Sequence, residues 1–304
     1  MNRRGFLAMA AAAGFGGEVI AQTLPFPVID THIHLFDPTR PQGVPWPSKD
    51  DKVLYQPALP ARYRKIAQPS GVAGAIEVEC SPLPEDNQWV LDIAAKDTIM
   101  VGTIGNLEPG KPEFRAQLDR LHKNSLFLGI RYGNLWGRDL GVEIRKPEFV
   151  AGLKSLADAG LVLDTANQNA DLIAATLRVT DLVPSLRIVI DHLPQFAAPA
   201  DANLRELGRR PQVYVKISEV LRRVNGRVPT DLNFHRPKLD EIFGIFGEDR
   251  VLYGSDWPNS DNWGTYSQVF GVVREYFMAK GSGVAEKYFS KNSVTAYRWK
   301  KRTA

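Results

Sequence analysis

The chain has 304 residues, of which 44% are hydrophobic and 24% charged, and this ordinary globular composition excludes disordered and collagen-like proteins. Its formal net charge of +4 comes from lysines and arginines that are spread along the chain, so nothing in the sequence indicates nucleic-acid binding. The single cysteine, Cys80, excludes an intramolecular disulfide and a cysteine-cluster zinc site.

The N-terminal segment has the pattern of an export signal. Arg3 and Arg4 lie in NRRGFL, which resembles the twin-arginine export motif, and a short apolar stretch follows at 8–17. That stretch is too short and too rich in Gly and Ala for a transmembrane helix. We therefore expect residues 1–22 to be a twin-arginine signal peptide and residues 23–304 to form one domain, located in the periplasm without a transmembrane anchor.

Short apolar segments alternate with helical patterns along the rest of the chain. The first strand starts at Val28 and ends in His32 and His34, and a proline-rich loop follows at 37–55. Later strands are predicted at 71–80, 98–104, 126–131, 161–165, 187–191, 213–217 and 251–254. Helices are predicted at 86–97, 112–122, 147–159, 170–180, 203–208, 234–246, 266–279 and 285–299.

This alternation of eight strands with helices, without a linker between two halves, predicts an α/β fold, a single-domain (β/α)₈ TIM barrel. A doubly wound open sheet is the alternative. It is disfavoured because no glycine-rich dinucleotide loop follows the first strand.

Side chains suited to metal binding or proton transfer stand at the ends of three predicted strands. His32 and His34 are two residues apart on a strand, so both imidazoles project from one face. His192 follows the sixth strand and Asp256 the eighth. Because the chemistry of TIM barrels lies at the carboxyl ends of the strands, we expect these four residues to share one site.

These residue types indicate hydrolysis by an activated water. Imidazoles can hold a divalent ion or donate hydrogen bonds to a carbonyl, and the carboxylate of Asp256 can take a proton from water. The sequence contains no Gly-x-Ser-x-Gly motif, which argues against a serine hydrolase.

The stretches DTHIHLFDP, IDHL and YGSDWP resemble the signature motifs of the amidohydrolase superfamily. Over residues 26–299 the chain is similar to its amidohydrolase-2 branch, which includes 2-pyrone-4,6-dicarboxylate lactonase and L-fuconolactonase. The resemblance implies a hydrolase acting on a lactone or similar cyclic ester, with Asp256 as general base and His192 also catalytic. It implies one divalent metal, Zn or Mn, or a metal-independent site where histidines polarise the carbonyl. The implied metal ligands are His32, His34, His192 and Asp256.

Two other readings stay open beside the lactonase. A metal-dependent decarboxylase of the same superfamily would use the same residues on an aromatic or unsaturated acid. A catalytically silent binding protein is disfavoured because the set of histidines and aspartate is intact.

Binuclear members of the superfamily carry a bridging Lys or Glu on strand four and a further His on strand five. Here these strands end in GIRY and DT, so we expect at most one metal.

Two charged residues are candidates for substrate binding. Arg131 ends the fourth strand and resembles the G-[IV]-R of these lactonases, where its guanidinium suits a carboxylate. Glu79 ends the second strand, and a carboxylate there needs a cation or a polar partner. Lys216 on the seventh strand either faces the site or forms an ion pair, whereas His235 is expected at the surface. The expected partner is a small molecule that is anionic or polyhydroxylated.

Overall fold

The computed structural model describes residues 24–166 and 169–302, and these form one eight-stranded parallel sheet. Neighbouring strands in the chain are neighbours in the sheet throughout. The segment after the last strand returns to the first: the backbone N–H of His34 donates to the carbonyl of Trp257 at 2.7 Å, and that of Asp256 to the carbonyl of His32 at 2.9 Å. The strands are β1 (Val28–Ile33), β2 (Val72–Val78), β3 (Met100–Gly105), β4 (Phe127–Arg131), β5 (Val162–Thr165), β6 (Arg187–Ile190), β7 (Val213–Ile217) and β8 (Val251–Tyr253).

The predicted TIM barrel is confirmed, since helices alternate with the strands of this nearly closed sheet. The α-helices are α1 (Pro60–Ala67), α2 (Asp86–Ala95), α3 (Phe114–Leu121), α4 (Leu140–Glu143), α5 (Pro147–Asp158), α6 (Ala170–Leu182), α7 (Ala202–Leu207), α8 (Leu232–Phe246), α9 (Tyr266–Ala279), α10 (Ser282–Glu286) and α11 (Asn292–Tyr297). Within the described part of the chain, none of the helices combines the length and the apolar character needed to cross a bilayer. The predicted signal peptide at 1–22 lies outside the described residues.

The helices differ most from the sequence prediction at three places. The patterns do not predict α1, whose sequence PARYRKIA is mostly polar; proline stands in its first turn, and Tyr63 and Ala67 are buried on one side. They also do not predict the single turn of α4. The helix predicted at 285–299 is interrupted, because a π-helical turn at Lys287–Lys291 separates α10 from α11.

One apolar cluster takes at least one side chain from every strand, which places it inside the barrel. Its strand members are Ile29, Ile76, Val78, Val101, Ile104, Leu128, Val162, Val189, Tyr214 and Leu252. The residues two positions after Val162, Val189 and Tyr214 are all charged. Because side chains two apart share a face of a strand, this puts a polar layer above the apolar one. The active-site candidates lie at the carboxyl end of this layer.

Candidate active site

The predicted histidine pair stands at the end of β1. His32 is fully buried, and His34 lines a cavity at the carboxyl end of the barrel. His34 Nδ1 lies 2.7 Å from the carbonyl oxygen of Val78. Because a carbonyl only accepts, the proton belongs on Nδ1 and the neutral ring keeps a lone pair on Nε2. This Nε2 lies 3.2 Å from Asp256 Oδ1, a contact that a cation between the two atoms would stabilise.

Asp256 is held in place from both sides. Its φ of 60° lies in the left-handed region, which residues other than glycine rarely adopt. Its Oδ2 accepts a hydrogen bond from Asn259 Nδ2 at 2.7 Å, and its Oδ1 lies 3.6 Å from His32 Nε2. Burial alone would raise the pKa of Asp256, but His192, His34 and His32 outweigh it and hold this pKa below its ordinary value. The carboxylate is therefore ionised at neutral pH and can accept a proton.

His192 completes the predicted group. It comes two residues after β6, again with a left-handed φ of 66°. Its Nδ1 lies 3.1 Å from Ser218 Oγ, and its ring centroid is 4.5 Å from that of His32. The structure thus brings the four strand-end residues together, while their catalytic and metal-binding roles stay predictions.

Two overlapping groups of side chains have ligand atoms within 4.8 Å of one another. The first is His32, His34 and Asp256, and the second is His192, Glu219 and Asp256. His32 Nε2 is buried and has no hydrogen-bond partner among the described residues, and in the tautomer that carries its proton on Nδ1 this nitrogen offers a lone pair to a ligand. Imidazole nitrogen and carboxylate oxygen are donors that suit Zn and Mn. The first group therefore fits one divalent ion, and His192 belongs to the second group.

A buried ion cluster around Lys216 lies against His32. Lys216 Nζ is 2.7 Å from Asp164 Oδ2, 2.8 Å from Asp191 Oδ1 and 3.2 Å from His32 Nδ1. Burial and the Lys216 cation lower the pKa of His32 well below its ordinary value. For Asp191 the cation outweighs burial, so the pKa of this carboxyl is well below the usual range. Burial raises the pKa of Asp164 to about 7 although Lys216 opposes the shift. Lys216 therefore forms the ion pair that the sequence offers as one alternative, and it also contacts His32 of the site.

Arg131 and Glu79, the two predicted substrate ligands, bind each other. Arg131 Nε donates to Glu79 Oε1 at 2.9 Å, and a second guanidinium nitrogen donates to the Glu79 carbonyl. Glu79 Oε2 also accepts from Trp136 Nε1 and from the backbone N–H of Ser81, both at 3.1 Å. Burial alone would lower the pKa of Arg131, but Glu79 and Asp191 raise it. Arg131 still lines the cavity, so its role toward a substrate stays a prediction.

The cavity above these residues has a volume of about 770 Å³. Several of its polar residues were not predicted from the sequence, among them Glu219, Arg222 and Asn259. Glu219 follows β7 as His192 follows β6 and Asp256 follows β8, so the same strand-end rule would have found it. The polar and charged side chains of its wall include His34, Arg131, His192, Glu219, Arg222 and Asn259.

His235 is not the surface residue that the sequence predicts. Helix α8 begins at Leu232, ahead of the predicted start, and this turns His235 inward, where it is 2% exposed. Its Nε2–H donates to the carbonyl of Pro229 at 2.9 Å, and burial lowers the pKa of the ring. It is not part of the cavity wall and has a packing role.

A TIM barrel with histidines and an aspartate at the carboxyl ends of its strands defines an enzyme of the amidohydrolase type. The Amidohydro_2 family model, described as amidohydrolase, matches residues 29–299, and the chain belongs to this family. The resemblance found in the sequence motifs is thereby confirmed.

Known proteins similar to this chain include a lactonase and two metal-containing barrels. L-fucono-1,5-lactonase from Burkholderia ambifaria is 27% identical over 240 residues, covering 76% of this chain and 80% of the relative. An amidohydrolase from Burkholderia multivorans, solved with bound Zn, has a TM-score of 0.79 at 18% identity and covers 90% of this chain and 100% of that one. The 5-carboxyvanillate decarboxylase of Novosphingobium aromaticivorans, complexed with manganese, has a TM-score of 0.65 at 16% identity, covering 90% and 96%. At these identities the solved structures show a shared fold.

Proposed function

We propose that this enzyme hydrolyses a lactone or a similar cyclic ester, with Asp256 as the base that activates water. The position of Asp256 carries the proposal: one carboxylate oxygen is held by Asn259, and the other faces His34 beside the cavity. Its lowered pKa keeps the carboxyl ionised at neutral pH, which a proton acceptor must be. The lactonase among the curated relatives supports the same class of reaction.

The proton movements follow from this arrangement. As the water oxygen bonds to the substrate carbonyl carbon, Asp256 accepts the proton that the water loses. When the tetrahedral intermediate collapses, the ring C–O bond breaks and the proton passes to the leaving oxygen, which gives an open-chain hydroxy acid. His192 Nδ1 lies 3.1 Å from Ser218 Oγ; with the Ser218 hydroxyl as the donor, the proton of the His192 ring stands on Nε2, where it can donate to the carbonyl oxygen.

The first metal-fitting group adds a second way to polarise the carbonyl. A divalent metal, when bound, acts as a Lewis acid on the carbonyl oxygen. The residues that would hold it are His32, His34 and Asp256. The carbonyl of Val78 prepares His34 for this role, because it holds the proton on Nδ1 and leaves the Nε2 lone pair available.

A metal-dependent decarboxylase is the second candidate, supported by the fold shared with 5-carboxyvanillate decarboxylase. Its substrate would bring a carboxylate, which needs a cationic partner. Of the described residues that line the cavity, two are arginines and none is a lysine. Arg131 already pairs with Glu79, and Arg222 with Glu219. The cavity therefore favours an uncharged lactone over a carboxylic acid.

Replacing Asp256 tests the proposed reaction. Asp256→Asn keeps the shape of the side chain and removes the proton acceptor, so kcat on a lactone should fall by about 10²-fold or more. Proton release from a panel of lactones, with aromatic acids assayed for decarboxylation alongside, measures the effect. Elemental analysis of both proteins measures bound metal.

The matched control for this test is Asp249→Asn, an exposed aspartate that precedes the opposite end of β8 and pairs with Lys287. It should keep the rate of the wild type. Near-normal lactone turnover by Asp256→Asn would rule out the proposed water activation, and carbon dioxide release without lactone turnover would favour the decarboxylase.

A further inference from the structure

Glu219 comes two residues after β7, as His192 comes two residues after β6, and Asp256 comes three residues after β8. The φ of Glu219 is 50°, in the left-handed region that is unusual for a residue with a side chain, as are those of the other two. Such conformations cluster at ligand sites, where the surrounding structure imposes them. Here they recur on three adjacent strands and bring three polar side chains to one cavity.

Two neighbours position the Glu219 carboxylate. The Arg222 guanidinium binds Oε2 and also donates from Nε to the Glu219 carbonyl at 3.0 Å. Asn259 Nδ2 lies 3.5 Å from Glu219 Oε1 and donates to Asp256 Oδ2 at 2.7 Å. The amide of Asn259 therefore lies between the two carboxylates and contacts both. Among the described residues, Asn259 provides the one hydrogen-bond contact of Glu219 Oε1, and the Glu219 side chain is 24% exposed.

The chemistry of this position determines what it can bind. A carboxylate accepts hydrogen bonds and donates none, so the substrate group that it recognises must be a donor such as a hydroxyl. A carboxylate on the substrate would meet the negative charges of Glu219 and Asp256. Both arginines of the described cavity wall are already paired with glutamates and offer it no free cation.

We propose that Glu219 is a specificity-determining residue that accepts hydrogen bonds from ring hydroxyls of the lactone and disfavours substrates that carry carboxylates. This inference rests on the proposed lactone hydrolysis. It makes a polyhydroxylated, uncharged lactone the substrate class of the cavity. Because Glu219 also belongs to the second metal-fitting group, the competing role is that of a metal ligand with His192 and Asp256.

Three lactones separate these roles in steady-state kinetics. L-fucono-1,5-lactone carries ring hydroxyls, δ-valerolactone has the same ring size without them, and 2-pyrone-4,6-dicarboxylate carries carboxylates. In Glu219→Gln we expect the KM for the hydroxylated lactone to rise about tenfold or more, since a charged acceptor is replaced by a neutral one, with little change in kcat. The KM for δ-valerolactone should stay that of the wild type. In Glu219→Met, which frees Arg222, the dicarboxylate should bind better.

The matched control is Glu143→Gln. Glu143 pairs with Lys146 three residues on, its side chain is also 24% exposed, and it lies outside the cavity wall. Its kinetics on all three lactones should be unchanged. Equal effects of Glu219→Gln on the hydroxylated and the plain lactone would overturn the proposal, and so would loss of bound metal from this variant by elemental analysis.

Binding without turnover keeps this test separate from the proposed reaction. Calorimetric titration of L-fucono-1,5-lactone and δ-valerolactone into Asp256→Asn and into the double variant Asp256→Asn, Glu219→Gln reads the contribution of Glu219 directly. Weaker binding of the hydroxylated lactone alone supports the proposal even if no lactone is hydrolysed. Unchanged or equally weakened binding of both lactones overturns it.

Discussion

Arg131, at the end of β4, pairs with Glu79, which directly follows β2. This ion pair changes the expected effect of an Arg131 substitution on stability. The sequence alone predicts that Arg131 binds the substrate, so that its replacement would raise KM and leave stability unchanged. In the structure, Arg131→Met would leave the buried carboxylates of Glu79 and Asp191 without their guanidinium. We expect the free energy of unfolding to fall by about 3–5 kcal/mol, as for other broken buried ion pairs. Urea unfolding monitored by circular dichroism measures it.

Removing both partners separates this effect from simple loss of packing. Arg131→Met combined with Glu79→Gln removes the uncompensated charge, so the double variant should be more stable than Arg131→Met alone. Arg115→Met, which breaks an exposed pair with Asp119, is the control and should change stability little. Wild-type stability together with a raised KM in Arg131→Met would return Arg131 to the role of a substrate ligand.

Some residues of the site could be predicted from the sequence, whereas the contacts of others could not. The histidine pair and Asp256 were identifiable because a strand end and a motif both pointed to them. The partner of Arg131 was not, because Glu79 is 52 positions away in the chain and strand ends alone do not reveal which side chains touch. Glu219 was identifiable by position and was missed because no motif surrounds it.

Among the secondary-structure elements, the strands were predicted more accurately than the helices. β7 has the predicted bounds, Val213–Ile217, because its β-branched residues stand at every second position and polar residues flank the strand. Helix α1 escaped prediction because only a few of its residues are buried. The π-helical turn at Lys287–Lys291 depends on how the last helices pack against the barrel, which local pattern does not encode.

A buried ion cluster connects the carboxyl-terminal ends of β5, β6 and β7 through Lys216. Lys216→Met would leave Asp164 and Asp191 fully buried without their shared cation. We expect the free energy of unfolding to fall by about 3–5 kcal/mol, because removing one partner of a buried ion pair leaves the other charge poorly compensated. Chemical unfolding at constant pH measures the change. Asp191→Asn added to Lys216→Met removes one of these charges and should recover part of the loss.

A surface lysine with the same kind of partners provides the control. Lys287 Nζ lies 2.6 Å from Glu248 Oε1 and 2.7 Å from Asp249 Oδ1, with its side chain 33% exposed. Because solvent screens such pairs, Lys287→Met should change stability little. Equal losses in Lys216→Met and Lys287→Met would show that the buried cluster is no more important for folding than a surface pair.

For the molecule as a whole, the barrel gathers the candidate chemistry at one end, and the chain ahead of it is proposed to direct export. Twin-arginine export carries folded proteins, and this route would suit an enzyme that binds a metal before it leaves the cytoplasm. Replacing Arg3 and Arg4 by lysine should therefore leave the protein in the cytoplasmic fraction with lactonase activity intact, while the unaltered chain reaches the periplasm. Arg209 and Arg210, another adjacent pair, provide the control, because their replacement by lysine should not change the location. Periplasmic accumulation of the Arg3→Lys, Arg4→Lys protein would contradict this route.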